Sequence, residues 1–298
     1  MRMNNLKKRI IPILLICFQT TVCLGKEATP IRVFLAGDST VKTYGPALET
    51  GGWGEYLQNY FDKQKVIVIN KAEGGRSTRS FINEGRLAEI LNQMQAGDYL
   101  FIQFGHNDSA VGVGYQLERS VQLGEPDEDE IYPVIPGEKV PTPASHISAY
   151  GKEYYPYESG TFKWYLKQYV DGARAKGALP VLITPVSRRY FTGSLIRAHH
   201  GPHDAYVMCV LQLAEELDVP CLDMFAKTKA LYETLGPVES TKLQSTKTDG
   251  SLDNTHYNKY GAFLVAGMVA ETIKEEGLPL ADFLVAPTEI VNPPADKK

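Results

Sequence analysis

Cysteine is scarce in this chain of 298 residues, which holds only four of them. Two of the four lie in the N-terminal segment, so Cys209 and Cys221 are the ones that the body of the chain retains. Cys209 falls in an apolar helical run and Cys221 in a short predicted strand, which favours two core thiols. The alternative is one disulfide between them, although a domain of this size is stable without one. A disulfide-stapled scaffold is therefore excluded.

Hydrophobic runs of membrane-spanning length are lacking as well. The apolar stretch Ile10–Phe18 is too short to cross a bilayer as a stable helix, and basic residues precede it. This pattern predicts a secretory signal over residues 1–25 that is cleaved after Gly25. An uncleaved anchor, or a lipoprotein attached through Cys23, are the alternatives. We expect a secreted or periplasmic protein.

The chain also lacks a surplus of basic over acidic residues. Its formal net charge is -4, and cleavage of the predicted signal removes four basic and no acidic residues, leaving about -8. Nucleic acids and anionic membranes are bound by surfaces with a basic surplus, so neither is expected as a partner.

Short apolar runs alternate with helical patterns, which indicates a parallel, doubly wound α/β sheet. Residues 26–286 show no internal repeat and no second domain boundary. Residues 109–160 interrupt the alternation with Gly, Pro, Tyr and acidic residues, which predicts an insertion or lid loop. Residues 287–298 form a Pro-rich, charged tail that is predicted to be flexible. The predicted strands are Ile31–Ala36, Val66–Ile69, Tyr99–Phe104, Leu179–Thr184 and Val219–Leu222, and the main helices are Trp53–Phe61, Phe81–Met94, Phe162–Ala175, Asp204–Leu217, Met224–Leu235 and Asn258–Glu275.

Four polar motifs lie where predicted strand ends converge, the edge at which open α/β sheets bind ligands. Acyl transfer needs a nucleophile, a base with an orienting acceptor, and donors for an oxyanion. Ser39 follows the first strand and would attack, His256 would act as base, and Asp253 would orient it. The N–H groups of Ser39 and Gly75 and the side chain of Asn107 would form the oxyanion hole. A simple Gly-Asp-Ser turn without catalytic partners is the alternative.

The motifs AGDST, GGRS, GHND and DNTH, in this order, resemble the four blocks of the SGNH (GDSL-type) hydrolase family. Stretches such as LAGDSTV and DNTHYNKYGA resemble its rhamnogalacturonan acetylesterase branch, and the likeness runs over Ile31–Glu275. The resemblance implies a flavodoxin-like, three-layer α/β/α sandwich with five parallel strands, and it implies the triad and oxyanion hole named above. Thr40, where lipase-like members carry leucine, and the long insertion after Asn107 depart from the family pattern.

The expected activity is removal of acetyl groups from a plant cell-wall polysaccharide or oligosaccharide, with rhamnogalacturonan (pectin) as the expected substrate. A xylan acetylesterase or a small-ester lipase of the same family is an alternative. A glycan-binding module that has lost catalysis is another, but the complete set of site residues speaks against it. The absence of a Gly-x-Ser-x-Gly elbow argues against an α/β-hydrolase.

No cofactor or metal is expected. His199, His200 and His203 cluster, but their spacing matches no standard zinc motif, and a serine mechanism supplies its own nucleophile. Asp38 is expected to bond nearby backbone rather than to act as a second catalytic acid. His106 suits substrate contact and packing equally well.

Arginine is the residue suited to the carboxylate of galacturonate, because its planar fork binds carboxylates bidentately. Arg188 and Arg189 follow the fourth predicted strand, and His203 lies further along the same connection. These three are the candidate substrate-binding residues. The alternative is that the arginines brace the loops, and for Arg76, beside the oxyanion-hole glycine, bracing is the preferred interpretation.

Overall fold

A computed structural model describes residues 29–110, 119–139, 157–158, 160–197 and 203–294. The predicted signal over residues 1–25 lies outside the described residues, as do much of the predicted insertion and the last residues of the tail.

The described chain alternates strands with helices. In chain order the strands are β1 (Ile31–Gly37), β2 (Thr50–Gly51), β3 (Val66–Asn70), β4 (Tyr99–Gln103), β5 (Glu138–Lys139), β6 (Tyr157–Glu158), β7 (Leu179–Ile183), β8 (Phe191–Thr192), β9 (Leu195–Ile196), β10 (Cys221–Leu222), β11 (Gln244–Thr246) and β12 (Leu252–Asn258). The α-helices are α1 (Trp53–Tyr56), α2 (Thr78–Asn83), α3 (Arg86–Gln93), α4 (Phe162–Ala175), α5 (His203–Glu216), α6 (Met224–Glu239) and α7 (Lys259–Glu275), with 3-10 turns at Leu57–Tyr60, Ser240–Leu243 and Pro279–Phe283.

The central sheet has five parallel strands in the spatial order β3-β1-β4-β7-β10. Counted along the chain this is the order 2-1-3-4-5 of a flavodoxin-like doubly wound sheet. The predicted α/β fold with a five-stranded parallel sheet is therefore confirmed. All five strands end at one edge, and the loops that follow them converge there.

The sheet is covered on both faces, which makes the protein three layers thick. Val33 and Leu35 of β1 point into a core formed with α1, α6 and α7, while Phe34 and Ala36 point into a core formed with α2 to α5. All four side chains are fully buried. Burial on both faces explains why β1 reads as a continuous apolar run instead of an alternating one.

Two local predictions were wrong. The helix predicted over Phe81–Met94 is two helices, α2 and α3, because Gly85 adopts a left-handed φ of 75° between them. The predicted strands did not include the segment that carries Asp253 and His256, but this segment lies in strand β12. β12 pairs antiparallel with β11, which is close to it in the sequence, and with β2, which is distant. No local sequence pattern predicts the pairing with β2.

The described part of the insertion, residues 119–139, lies against α4 and α5. Lys163 of α4 donates to the Tyr132 carbonyl oxygen at 2.8 Å, and Gln212 of α5 accepts from the Tyr132 N–H at 3.0 Å. This part of the insertion is thus fixed to one outer layer of the sandwich.

Cys209 and Cys221 are free thiols, as predicted. Burial raises the pKa of each to about 12, so neither is a reactive thiolate. Among the described residues, none of the helices combines the length and apolarity needed to cross a bilayer.

Candidate active site

The turn that carries Ser39 follows β1 directly and is fixed by Asp38. Asp38 Oδ1 accepts hydrogen bonds from the Thr40 N–H and from the Thr40 hydroxyl, each at 2.8 Å. The Asp38 side chain is fully buried, whereas Ser39 is only partly buried at the carboxyl edge of the sheet. The carboxylate therefore shapes the turn from below and leaves the serine facing outward, which is the structural role expected for Asp38.

His106 lies against this buried carboxylate. Its Nδ1 lies 3.2 Å from Asp38 Oδ2 and its Nε2 lies 2.9 Å from the Val186 carbonyl oxygen. Burial alone would raise the pKa of Asp38, but the charge and hydrogen bond of His106 lower it below its usual value. These contacts support the packing interpretation of His106.

Ser39, His256 and Asp253 form a continuous chain of hydrogen bonds. Ser39 Oγ lies 2.9 Å from His256 Nε2, and His256 Nδ1 lies 2.8 Å from Asp253 Oδ2. Residues from opposite ends of the sequence thus meet with the spacing of a nucleophile, a base and an orienting carboxylate.

Asp253 is held as an anion in this chain. Burial would raise the pKa of Asp253, but the hydrogen bond and charge of His256 and two backbone N–H donors lower it to about 2. Those donors are the N–H groups of Thr255 and His256, at 2.8 and 3.0 Å from Asp253 Oδ1. The carboxylate is therefore ionised at any pH at which a histidine base operates.

The predicted oxyanion-hole residues lie in the same place. A Cβ atom added to Gly74 would stand 3.7 Å from Ser39 Cβ, so the glycine loop passes beside the serine. Gly75 has a φ of 78°, a left-handed conformation that glycine adopts without strain. Asn107 lies beside the glycine loop, because its Nδ2 donates to the carbonyl oxygen of Arg76, the residue after Gly75, at 3.0 Å. One Nδ2 hydrogen makes that bond and the second remains for another acceptor.

Arg76 braces the glycine loop from inside the protein. Its Nη1 donates to the Gly74 carbonyl oxygen at 2.7 Å, and its Nε lies 3.1 and 3.0 Å from the two carboxylate oxygens of Glu84. Only 2% of the Arg76 side chain is exposed. The contacts agree with the bracing role that the sequence suggested for this residue.

Arg188 and Arg189 contact the segment that carries Asp253 and His256. Arg188 donates to the Thr255 hydroxyl and to the His106 carbonyl oxygen, each at 3.0 Å. Arg189 is buried; its Nη1 donates to Asn254 Oδ1 at 2.9 Å and its backbone N–H donates to the Asn254 carbonyl oxygen at 2.8 Å.

Further donations from Arg189 reach Ser240 Oγ at 2.8 Å and the Pro237 carbonyl oxygen. These protein contacts favour bracing of the loops over contact with substrate. Neither role is tested, so both stay predictions for the two arginines. The third candidate, His203, begins α5, but its side chain, like His199 and His200, lies outside the described residues.

Asp108 ties the two oxyanion-hole loops together, a role that sequence reasoning missed. Its Oδ1 accepts from the Thr78 N–H at 2.9 Å and from the Thr78 hydroxyl at 2.6 Å, and its Oδ2 accepts from the Gly105 N–H at 3.1 Å. The side chain is fully buried, and desolvation raises the pKa of Asp108 to about 7.

Two further positioning contacts were also missed. The Gln244 amide reaches the carbonyl oxygens of Asp253 and His256 and the Tyr232 hydroxyl, and all three are satisfied when its nitrogen faces the carbonyls. Arg119 donates from Nη1 to Asn107 Oδ1 at 2.9 Å. Gln244 is one residue of a three-residue strand, and Arg119 lies in the aperiodic insertion, so neither carried a sequence signal.

Titration of Asp108 should make stability depend on pH. The carboxyl has a pKa of about 7 in the folded protein, against a usual value of 3.8. Between these two values the folded protein holds a proton that the unfolded chain has released. As the pH rises through this window, the free energy of unfolding should therefore fall by about 1.4 kcal/mol per pH unit through this group.

Asp108→Asn removes that titration. We expect the stability of the wild type, measured relative to the variant by urea unfolding, to decline as the pH rises from about 4.5 to about 7.5. Asp249→Asn, in an exposed turn, is the matched control and should leave the difference flat across this window. A gap between wild type and Asp108→Asn that stays constant with pH would contradict the prediction.

Comparison with known proteins finds relatives over nearly the whole described chain. A family model described as the GDSL-like Lipase/Acylhydrolase family matches residues 35–262. The chain is 40% identical to rhamnogalacturonan acetylesterase RhgT of Bacillus subtilis (strain 168) over 266 residues, 86% of this chain and 95% of that protein. It is 35% identical to the probable rhamnogalacturonan acetylesterase YesY of the same organism over 254 residues, 85% and 97% of the two chains.

A solved structure shows the same architecture. The crystal structure of the Bacillus subtilis protein YxiM is similar with a TM-score of 0.62 at 28% identity, covering 84% of this chain and 58% of that chain. The family match contains Ser39, the glycine loop, Asn107 and the Asp253–His256 segment, so the resemblance expected from the four motifs is confirmed. The protein is a carboxylic ester hydrolase, and the chain belongs to the GDSL-like lipase/acylhydrolase family.

Proposed function

We propose that this protein is a serine esterase that removes acetyl groups from rhamnogalacturonan. The observation that carries the proposal is the hydrogen-bond chain from Ser39 through His256 to Asp253. Two relatives that are alike over most of both chains are named as a rhamnogalacturonan acetylesterase and a probable one, which supports this substrate.

In the first half of the reaction, Ser39 Oγ attacks the carbonyl carbon of the acetyl ester while its proton passes to His256 Nε2. The carbonyl oxygen of the ester becomes an oxyanion, which the N–H groups of Ser39 and Gly75 and the Asn107 amide stabilise. When the carbonyl re-forms, the bond to the sugar oxygen breaks, and His256 returns the proton to that oxygen. The products are a sugar hydroxyl and an acetyl group on Ser39.

The second half uses water as the nucleophile. His256 accepts a proton from water as the water oxygen attacks the acetyl carbon, and the same donors hold the second oxyanion. Collapse breaks the bond to Ser39 Oγ, which regains its proton from His256, and acetate leaves. Asp253 keeps the imidazole oriented and offsets its positive charge in both halves. No other reactant is needed.

We also propose export with cleavage after Gly25, on the basis of the basic and apolar pattern of the N-terminus. Expression of the full chain in a secreting host should therefore yield a protein whose intact mass corresponds to a chain that begins at Lys26. Recovery of a protein that retains Met1 would contradict the proposal.

The substrate is tested by acetate release from a panel of acetylated polymers. We expect acetylated rhamnogalacturonan to be deacetylated faster than acetylated homogalacturonan or xylan. Ser39→Ala and His256→Ala should each remove nearly all turnover, since loss of either member of such a unit costs on the order of 10⁶ in kcat in a serine protease. Ser251→Ala, a serine in an exposed turn, is the matched control and should keep full activity.

Two results would contradict separate parts of this proposal. Near wild-type turnover in Ser39→Ala would overturn the nucleophile. Faster acetate release from xylan, with Ser39→Ala inactive, would leave the mechanism intact and overturn the substrate.

The two arginines should act as braces and not as substrate ligands. Arg189→Ala removes three side-chain contacts around the Asp253 segment, so we expect it to lower kcat on p-nitrophenyl acetate and on acetylated rhamnogalacturonan by the same factor, and to lower the melting temperature. Arg188→Ala, which loses contacts to Thr255 and His106, should behave alike. A loss confined to the polymer would instead identify a ligand for the galacturonate carboxylate, because the small ester has none.

A further inference from the structure

Within the described part of the insertion, the Arg119 side chain reaches Asn107, a residue of the proposed oxyanion hole. Its Nη1 donates to Asn107 Oδ1 at 2.9 Å, and on the opposite side Asn107 Nδ2 donates to the Arg76 carbonyl oxygen at 3.0 Å. Asn107 is buried, and Arg119 is half-buried above it. The oxygen and the nitrogen of the Asn107 amide are thus each held by a hydrogen bond.

The backbone near Arg119 is anchored to the same loop. The Val121 N–H donates to the Asp108 carbonyl oxygen at 2.9 Å, and Val121 is buried. The Tyr206 hydroxyl of α5 lies within hydrogen-bond distance of the carbonyl oxygens of both Asp108 and Val121. The backbone two residues after Arg119 is therefore fixed to the loop that carries Asn107.

A carboxamide has two orientations that differ by a half-turn, and only one of them serves an oxyanion. With nitrogen toward the hole Asn107 donates, whereas with oxygen toward the hole it would repel the developing charge. A guanidinium only donates, so it selects the amide oxygen, and the Arg76 carbonyl only accepts, so it selects the nitrogen. Both contacts favour the productive orientation.

We propose that Arg119 is a positioning residue that orients and polarises the Asn107 amide for oxyanion binding. The inference rests on the proposed function, in which Asn107 is a donor of the hole. A positive group on the amide oxygen draws electron density toward that oxygen, and the Nδ2–H becomes a stronger donor when negative charge develops on the substrate. Arg119 acts through Asn107 and need not touch the substrate.

The test compares Arg119→Met with Arg174→Met on p-nitrophenyl acetate. Arg174 is exposed at the far end of α4, where it also donates to main-chain oxygens, and its replacement should leave kcat within twofold. Arg119→Met should lower kcat about 10- to 100-fold and leave KM within twofold, since the contact that it weakens, between the Asn107 amide and the oxyanion, forms only in the transition state. Arg119→Lys, which keeps the charge and one donor, should restore part of the loss.

A double mutant separates positioning from a general structural role. Asn107→Ala should lower kcat by about 10²- to 10³-fold, the usual cost of one oxyanion donor. Adding Arg119→Met to Asn107→Ala should cause no further loss, because the arginine then has no amide to orient. The same factor lost in both backgrounds would overturn the inference, as would a loss confined to KM. Wild-type kcat in Asn107→Ala would overturn the oxyanion-hole assignment itself, which is the failure of the proposed function.

Discussion

The buried carboxylate of Asp38 is the contact on which the rest of the site depends. Its Oδ1 accepts from Thr40 and thereby holds the turn that presents Ser39, and its Oδ2 lies 3.2 Å from His106 Nδ1. An isolated charge at such depth costs several kcal/mol, so the turn is stable only with its partner in place. An uncompensated anion one residue from the proposed nucleophile would also oppose an oxyanion formed there.

A buried polar chain extends this contact into the core. Gln103, the last residue of β4, donates to the Thr40 hydroxyl at 2.7 Å and accepts from Trp53 Nε1 at 2.9 Å. The Thr40 hydroxyl in turn donates to Asp38, so each member satisfies the next. Because an unpaired buried polar group costs about 1–3 kcal/mol, such a chain favours a single arrangement of the turn.

The sequence predicted the strand ends and the residues that meet there, because those signals are local: an apolar run, a glycine, then a polar side chain. What it missed depends on contacts between distant segments. β12 is the middle strand of a small sheet, between β11 and β2, and β2 lies some 200 residues earlier in the chain. Gly85 divides one apparent helix because its φ is positive, a property invisible in a periodic pattern. Arg119 lies in a segment without periodicity, and its role follows only from where α5 and Asp108 place it.

Arginines brace the loops of this site for a common physical reason. Loops beyond the strand ends carry carbonyl oxygens that no strand partner satisfies, and a guanidinium offers five donors in a rigid fork that can reach several of them. Arg76 bonds Gly74, Arg188 bonds the His106 carbonyl, and Arg189 bonds the Pro237 carbonyl. Such bonds to charged donors are worth about twice a neutral one.

This arrangement changes what the acidic composition of the chain implies. The arginines near the site donate mainly to oxygens of the protein itself, and Arg76 and Arg189 are both buried. A move of these guanidinium groups toward a substrate carboxylate would break bonds that hold the site in shape. Because rigid preorganisation of donors is what stabilises the oxyanion, a guanidinium withdrawn to bind a substrate carboxylate would weaken catalysis as it strengthened binding. The contacts of these arginines therefore favour bracing of the site over binding of a substrate carboxylate.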